Sequence, residues 1–380
     1  MEYSLHDLLI KSAYKGLTLQ LENGSFPKGH DGPWYNDDTF MRTTAHWTML
    51  TLKAYGLTND RKLLKSSVRA LNYLTGEHSR PYNYAFHCNN SKHGGTRSNG
   101  LIGQAWIIEP LITAGIQLNE DKYLSVAREV ILLHPYNSKS STWSAIEIDG
   151  TDLGEYKTLN QQIWFGAMAL TLGINTSDEN ILCISRDFFY NLPKKINQFD
   201  GGIIDHTYTN DRFLVKRWTR NLFRKANKNG EHSLQKILSI SYMPFLLYGL
   251  AYIIDTVPID IISGTIKARF LTKAVSYIEN AFPYGFLENP ESYRWSYNPV
   301  GIEMAYILQV LSDLEGNSLL KNDSNDESRI TKWLKKQFEG YYDFERYMLN
   351  RNTNDPEILS SRLYEAVRLK DYRLEFASKF

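Results

Sequence analysis

Two kinds of helical segment alternate along the chain, and that alternation restricts the fold more than any single motif. One kind is rich in small residues and apolar on nearly every side, at about 40–55, 100–114, 160–172, 239–254, 299–314 and 357–369. A helix apolar all round is buried on both flanks. The other kind is amphipathic with charged faces, at 3–21, 60–74, 121–133, 179–192, 266–281 and 328–338. Many of these open at an Asp, Asn or Ser, whose side-chain oxygen accepts the free N–H groups of a first turn. Strand patterns are scarce by comparison. The alternation repeats about every 60 residues, as stacked helical hairpins do. An open stack needs polar caps at its ends, whereas six hairpins can close on themselves. The expected fold is all-α: an (α/α)6 toroid over residues 1–380 as a single domain, apolar helices inside and amphipathic helices outside.

Such a ring has a polarity. All six inner helices begin on one face, and their dipoles aim partial positive charge at a shared cavity. Loops that lead into them should be long and rich in functional side chains, and the turns that leave them short. The turns at 56–59 and 115–119 are short, while the loops at 75–99, 134–159 and 193–238 are long. Loops of that length in a compact domain are usually functional.

The side chains of these upstream loops supply the candidates. The first loop carries His30, Trp34, Asp37 and Asp38 and runs into Arg42, His46 and Trp47. Arg42 and His46 share a helix face, four residues apart. Arg42 is placed to bind a substrate carboxylate or to pair with Asp37 or Asp38. The second loop brings His87 and ends at Asn99, a helix-cap candidate, followed by Gln104, Trp106 and Glu109. In the third, the alternation from Trp143 to an Asp149-Gly150 turn predicts a small β-hairpin over the cavity mouth. Asn160, a second cap candidate, Gln162 and Trp164 follow it. The remaining loops contribute Asp205 and His206, then Arg294, Tyr297, Asn298 and Glu303, then Arg362, Tyr364 and Glu365.

Aromatic residues are 13% of the chain, with 8 Trp and 25 Tyr. A flat ring covers the apolar face of a pyranose while its polar edge stays hydrogen-bonded. Rings, acids, amides and histidines at one kind of position therefore point to a hydroxyl-rich ligand. With 43 Lys and Arg against 42 Asp and Glu, the net charge of +1 argues against a nucleic-acid partner. The start of the chain lacks a basic and then apolar leader. The apolar run 237–254 is long enough to suggest a membrane span, but Pro244 interrupts it and it fits the helix repeat. Cys88 and Cys183 are far apart and form neither a metal-ligand spacing nor a disulfide framework. No cofactor, metal or membrane insertion is expected, and a cytoplasmic location suits these features. Glycine-rich phosphate loops are missing.

The segments Gly24-Ser25-Phe26-Pro27 and Gly29-His30-Asp31-Gly32-Pro33, followed by His46-Trp47 on the first inner helix, resemble the six-hairpin carbohydrate enzymes. That superfamily includes unsaturated glucuronyl hydrolases, N-acylglucosamine 2-epimerases and toroidal polysaccharide lyases. Residues 99–106 and 297–303 look more closely like a group associated with bacterial polysaccharide gene clusters. The resemblance spans nearly the whole chain. It implies the toroid and a carbohydrate substrate, and it transfers no catalytic pair.

Three functions fit. A glycoside hydrolase acting on an oligosaccharide or polysaccharide would use two carboxyl groups: Asp38 and Asp149 first, with Glu303 and Asp205 in reserve. An epimerase or lyase would abstract a proton with His46, His87 or His206 while Arg42 or Arg294 neutralises a carboxylate. A sugar-binding toroid without chemistry would keep only the binding side chains: His30, Trp34, Arg42, Trp47 and His87 of the first two loops, with Asn99, Gln104 and Trp106, then Trp143, Gln162, Trp164, Arg294, Tyr297 and Asn298.

Overall fold

The structure, a computed structural model, describes residues 1–31, 36–90, 95–199, 202–208, 231–257, 268–281, 297–314 and 326–376. Among these residues twelve α-helices follow one another in hairpins. The outer helices are α1 (Leu5–Leu17), α3 (Arg61–Leu74), α5 (Asp121–Leu133), α7 (Glu179–Lys195), α9 (Ala268–Ala281) and α11 (Asp326–Tyr341). The inner ones are α2 (Met41–Thr58), α4 (Gly100–Gln117), α6 (Leu159–Thr176), α8 (Glu231–Thr256), α10 (Val300–Leu314) and α12 (Pro356–Ser361). Side-chain caps start several of them. Ser4 accepts from Asp7 N, Asp60 from Lys62 N, Asp178 from Asn180 N and Ile181 N, and Asp355 from Ile358 N.

The sixth inner segment departs from expectation. Its α-helix stops at Ser361 and continues as a 3₁₀ helix over Arg362–Arg368. A 3₁₀ helix has three residues per turn, so residues three apart stack in one column. Arg362, Glu365 and Arg368 thus form a single row.

Around the ring, α2 packs on α4, α4 on α6, α6 on α8 and α8 on α10; α10 and α2 both pack on the 3₁₀ segment. The ring of six is closed. Terminal strands bolt the seam: β1 (Glu2–Ser4) runs antiparallel to a closing strand at Arg373–Glu375, and the Met1 amino group donates to Phe376 O at 2.8 Å. Helix α8 has the length and composition to cross a membrane, but its flanks pack on α6 and α10 and 78% of its apolar window is buried.

The inner helices grip their upstream loops by a recurring device. In α2, Thr44 Oγ1 accepts Phe26 N at 3.0 Å and Thr43 Oγ1 donates to Phe26 O. In α4, Gln104 accepts Phe86 N at 2.7 Å and donates to Phe86 O and Ser98 O. In α6, Gln162 accepts Trp143 N at 3.0 Å and donates to Trp143 O and Tyr156 O. Each time the gripped residue is an aromatic buried in the core. Gln104 and Gln162 are thereby committed to backbone and face no ligand, contrary to the sequence expectation.

The predicted hairpin exists as part of a three-stranded sheet. Strand β3 (Thr142–Ile146) pairs with β2 (Tyr136–Asn137) on one side and β4 (Asp152–Glu155) on the other. Trp143 points into the core against Phe165 and Phe188, so it lines no cavity. Trp47 is also a core residue, stacked on Phe26 at 5.4 Å. It lies so close to α1 that a Cβ on Gly16 would sit 2.5 Å from its ring. Asn99 is the N-cap of α4, as expected, though it sits in the left-handed region at φ 53° and makes no side-chain cap bond. The other expected cap is corrected: that of α6 is Thr158, two residues before Asn160.

Candidate functional site

The inner helices surround an axis filled with charge and rings rather than aliphatic side chains. At the N-terminal end of α2, Arg42 stacks over the Trp106 ring of α4 at 4.2 Å and lies 5.9 Å from the Tyr297 ring. Asp38, just upstream, sits 3.7 Å from the same guanidinium, and both side chains are buried. One turn deeper, His46 meets Trp106 edge-on and stacks on Tyr364 at 4.3 Å. Its Nδ1 lies 3.2 Å from Ser361 Oγ, and its buried Nε2 has no hydrogen-bond partner.

Across the axis stands the 3₁₀ row. Arg362 lies over the Phe245 ring of α8, donates to Asn298 Oδ1, and uses one nitrogen, Nη2, for both Glu303 of α10 (2.9 Å) and Glu365. Arg368 pairs with Glu109 of α4, donates to Tyr248 OH and faces the Tyr252 ring. Trp164 of α6 stacks on Phe245 at 5.3 Å and contacts Tyr248, completing the aromatic wall.

Burial sets the protonation of these groups. Glu303 is fully buried, and burial pushes its carboxyl well above the usual range; the neighbouring Glu365 adds to that, against the opposing pull of Arg362. Glu365 is raised by burial too, again against Arg362. Burial disfavours the charge on Arg362, but Glu365 and Glu303 outweigh it and keep the guanidinium charged. For His46, burial first and then Arg42, Arg362 and Arg368 hold the imidazole well below its ordinary value, so it is neutral near pH 7. Glu303 Oε2, Glu365 Oε2 and Asn160 Oδ1 are buried and have no protein hydrogen-bond partner.

The axis therefore unites Asp38, Arg42, His46, Trp106, Trp164, Tyr297, Asn298 and Glu303. Other expected residues lie elsewhere. Asp149 is 44% exposed, its carboxylate accepts Thr151 N, and it lies 3.9 Å from Arg97. It lies in the exposed link between β3 and β4. Asp205 is buried but occupied, accepting from Thr207 N, Thr207 Oγ1 and Gln235 Nε2. His206 is held by Ser239 Oγ at 2.9 Å and stacked on Tyr242. His30 is 52% exposed, with its ring 3.7 Å from Asp355. His87 lines a cavity of about 250 Å³ together with Lys28, Asp38, Tyr73, His78 and Asn90. Trp34 and Arg294 lie outside the described residues.

The sequence placed Glu109, Arg362 and Glu365 on inner helices without giving them a role, and it did not single out Tyr248 or Arg368. A charged side chain on an otherwise apolar inner helix was the available signal, since such residues are almost never fully buried unless paired.

No family model matches the chain. Among solved structures it is similar to a cellobiose 2-epimerase from Bacillus thermoamylovorans B4167, with a TM-score of 0.63 and 8% identity, covering 95% of this chain and 98% of that one. It is also similar to an unsaturated glucuronyl hydrolase from Bacillus sp. GL1, with a TM-score of 0.59 and 12% identity, covering 95% and 94%. At such identities the likeness shows the fold, and the fold is the (α/α)6 toroid. In sequence it is 31% identical over 387 residues to archaeal glycosylation protein Q of Haloferax volcanii, a match covering 98% of this chain and 99% of the relative. The relationship runs end to end, and on it the chain belongs to the family of archaeal glycosylation protein Q.

Proposed function

We propose that the protein is a carbohydrate-active enzyme of glycan or polysaccharide metabolism that hydrolyses a glycosidic bond with paired carboxyl groups on the toroid axis. The observation that carries this reading is Glu303: a buried carboxyl, raised well above the usual range, with Oε2 unpartnered, among aromatic and guanidinium groups. A general acid in glycoside cleavage must keep its proton at working pH and present it to the leaving oxygen. Asp38, beside Arg42 and Tyr297, is the second carboxyl, in the role of base or nucleophile. Trp106 and Tyr297, beside Arg42, are the rings offered to pyranoses.

The relative's name, a glycosylation protein, supports a glycan substrate, and so do an epimerase and a glucuronyl hydrolase on the same fold. Proton abstraction by histidine ranks second. Among the described residues His46 is the one histidine on the axis, and a base held well below its ordinary value has little drive to take a proton. A toroid that binds sugar without chemistry ranks third. We assign the activity to the cytoplasm, a reading supported by Cys88 and Cys183 both being free thiols.

The test is release of new reducing ends from a panel of unactivated oligosaccharides, alkyl glycosides and alkyl uronides, whose alkoxide leaving groups need a proton donor. Wild-type protein should turn over at least one of them, and Glu303→Gln and Asp38→Asn should each lower that rate about 10²–10⁴-fold. Equal rates in wild type and Glu303→Gln would remove Glu303 from the chemistry. A new double bond in uronide oligosaccharides, or solvent deuterium incorporated without cleavage, would replace hydrolysis by a lyase or an epimerase.

A further inference from the structure

We infer that Glu303 and Glu365 hold one proton between them on the Arg362 guanidinium, and that Glu365 is the positioning residue that keeps Glu303 in its acid form. The described charges on the axis do not balance. Arg42 faces Asp38, Arg368 faces Glu109, and Arg362 faces both Glu303 and Glu365. Among the described residues that makes four carboxyls against three guanidiniums.

The other titratable groups near the pair are, among the described residues, the following. From α2 come Arg42, already beside Asp38, and His46, which is neutral. From α4 comes Glu109, occupied by Arg368. From α8 comes Tyr248, whose hydroxyl donates to Glu365 O and whose proton burial holds firmly. From α10 comes Tyr306, donating to Asp255 at 2.7 Å. The 3₁₀ segment adds Tyr364, also held protonated by burial, and α11 adds the uncharged Gln337. None of these neutralises a second carboxylate.

Both carboxyls are fully buried and both reach the same nitrogen. Two like charges that close, away from water, do not both ionise; one takes up a proton and the two titrate as a unit. The upward push on both carboxyls agrees with this. Glu365 is tied more closely to Arg362, through both Nε and Nη2, and so keeps the negative charge. The proton falls to Glu303. Only the use of this proton rests on the hydrolytic reading; its presence does not.

Infrared difference spectroscopy of the full-length protein tests the inference without substrate. Wild-type protein should show a protonated-carboxyl stretch that persists as pH is raised through 7. Glu303→Gln and Glu365→Gln should each lose that band, because in either variant one carboxylate then faces one guanidinium. A band surviving in Glu303→Gln would put the proton elsewhere. A band surviving in Glu365→Gln would make burial alone sufficient and remove the role of Glu365. If either variant fails to fold, the wild-type spectrum decides alone, and absence of the band at pH 7 overturns the shared proton. Failure of every glycoside assay with the band behaving as stated would retire the reaction and leave the proton in place.

Discussion

Replacing Arg362 by Met tests how the axis is held together. Met keeps an unbranched stem and removes the guanidinium, leaving Glu303 and Glu365 buried with no cation between them. Breaking a buried ion pair by removing one partner costs about 3–5 kcal/mol. Loss of the guanidinium from the Phe245 ring, 5.1 Å away, adds about 0.5–2 kcal/mol. A loss of about 4 kcal/mol is expected at pH 7, a large share of the stability of an ordinary domain. Urea unfolding followed by two probes, whose transitions must coincide, measures it. In the variant both carboxyls sit further above their ordinary value of 4.5. A raised folded pKa gives stability that is present below the unfolded value and lost as pH rises through the folded one. The charge part of the deficit relative to wild type should therefore be absent below about pH 4.5, where the carboxyls are protonated in both states, and should grow as pH rises above it. Adding Glu303→Gln and Glu365→Gln to the variant should recover at least half of it. A loss under about 1 kcal/mol would mean the cluster behaves like a solvated surface pair. A deficit unchanged by removing both carboxyls would assign the loss to packing, and the reasoning from charge would fail.

Two further expectations concern the scaffold. His134 is buried against Phe165, and burial lowers its pKa from 6.5 to about 4, so the fold holds it neutral. Its stabilisation is present above pH 6.5 and lost as pH falls toward 4, about 3 kcal/mol in all; His134→Asn should flatten unfolding free energy over that window, and curves parallel to wild type would contradict it. Gly16→Ala places a methyl against the Trp47 ring and should cost about 1–3 kcal/mol. A rise in melting temperature, as helix propensity alone would give, would refute the close approach of α1 to α2.

The ring was legible because its inner helices are apolar on every side. Segments such as Leu101–Ile112 read as buried before any partner is known. The grip of α4 and α6 on their loops was not legible, because an amide such as Gln104 or Gln162 looks the same whether it meets a ligand or Phe86 and Trp143 backbone. Asp149 misled for a related reason. An acid in a long loop carries no mark of the face it will take, and this one faces water. Glu303 was legible through its place one turn into an apolar helix. The row Arg362, Glu365 and Arg368 was hidden by winding. Read as an α-helix, spacing by three drifts around the cylinder, and only the 3₁₀ geometry turns it into a column.

That column is the last inner element to be synthesised. Glu109 and Glu303 are in place on α4 and α10 long before Arg368 and Arg362 leave the ribosome, and β1 waits for its partner strand until the chain is nearly complete. These are contacts of very long sequence separation, which form late. A nascent or truncated chain ending before Arg362 has five hairpins and an open seam, with two acids facing an axis that lacks their cations. Such an intermediate exposes apolar flanks and is prone to aggregate. The buried ion pairs of the axis are thus complete only when the final turn has arrived.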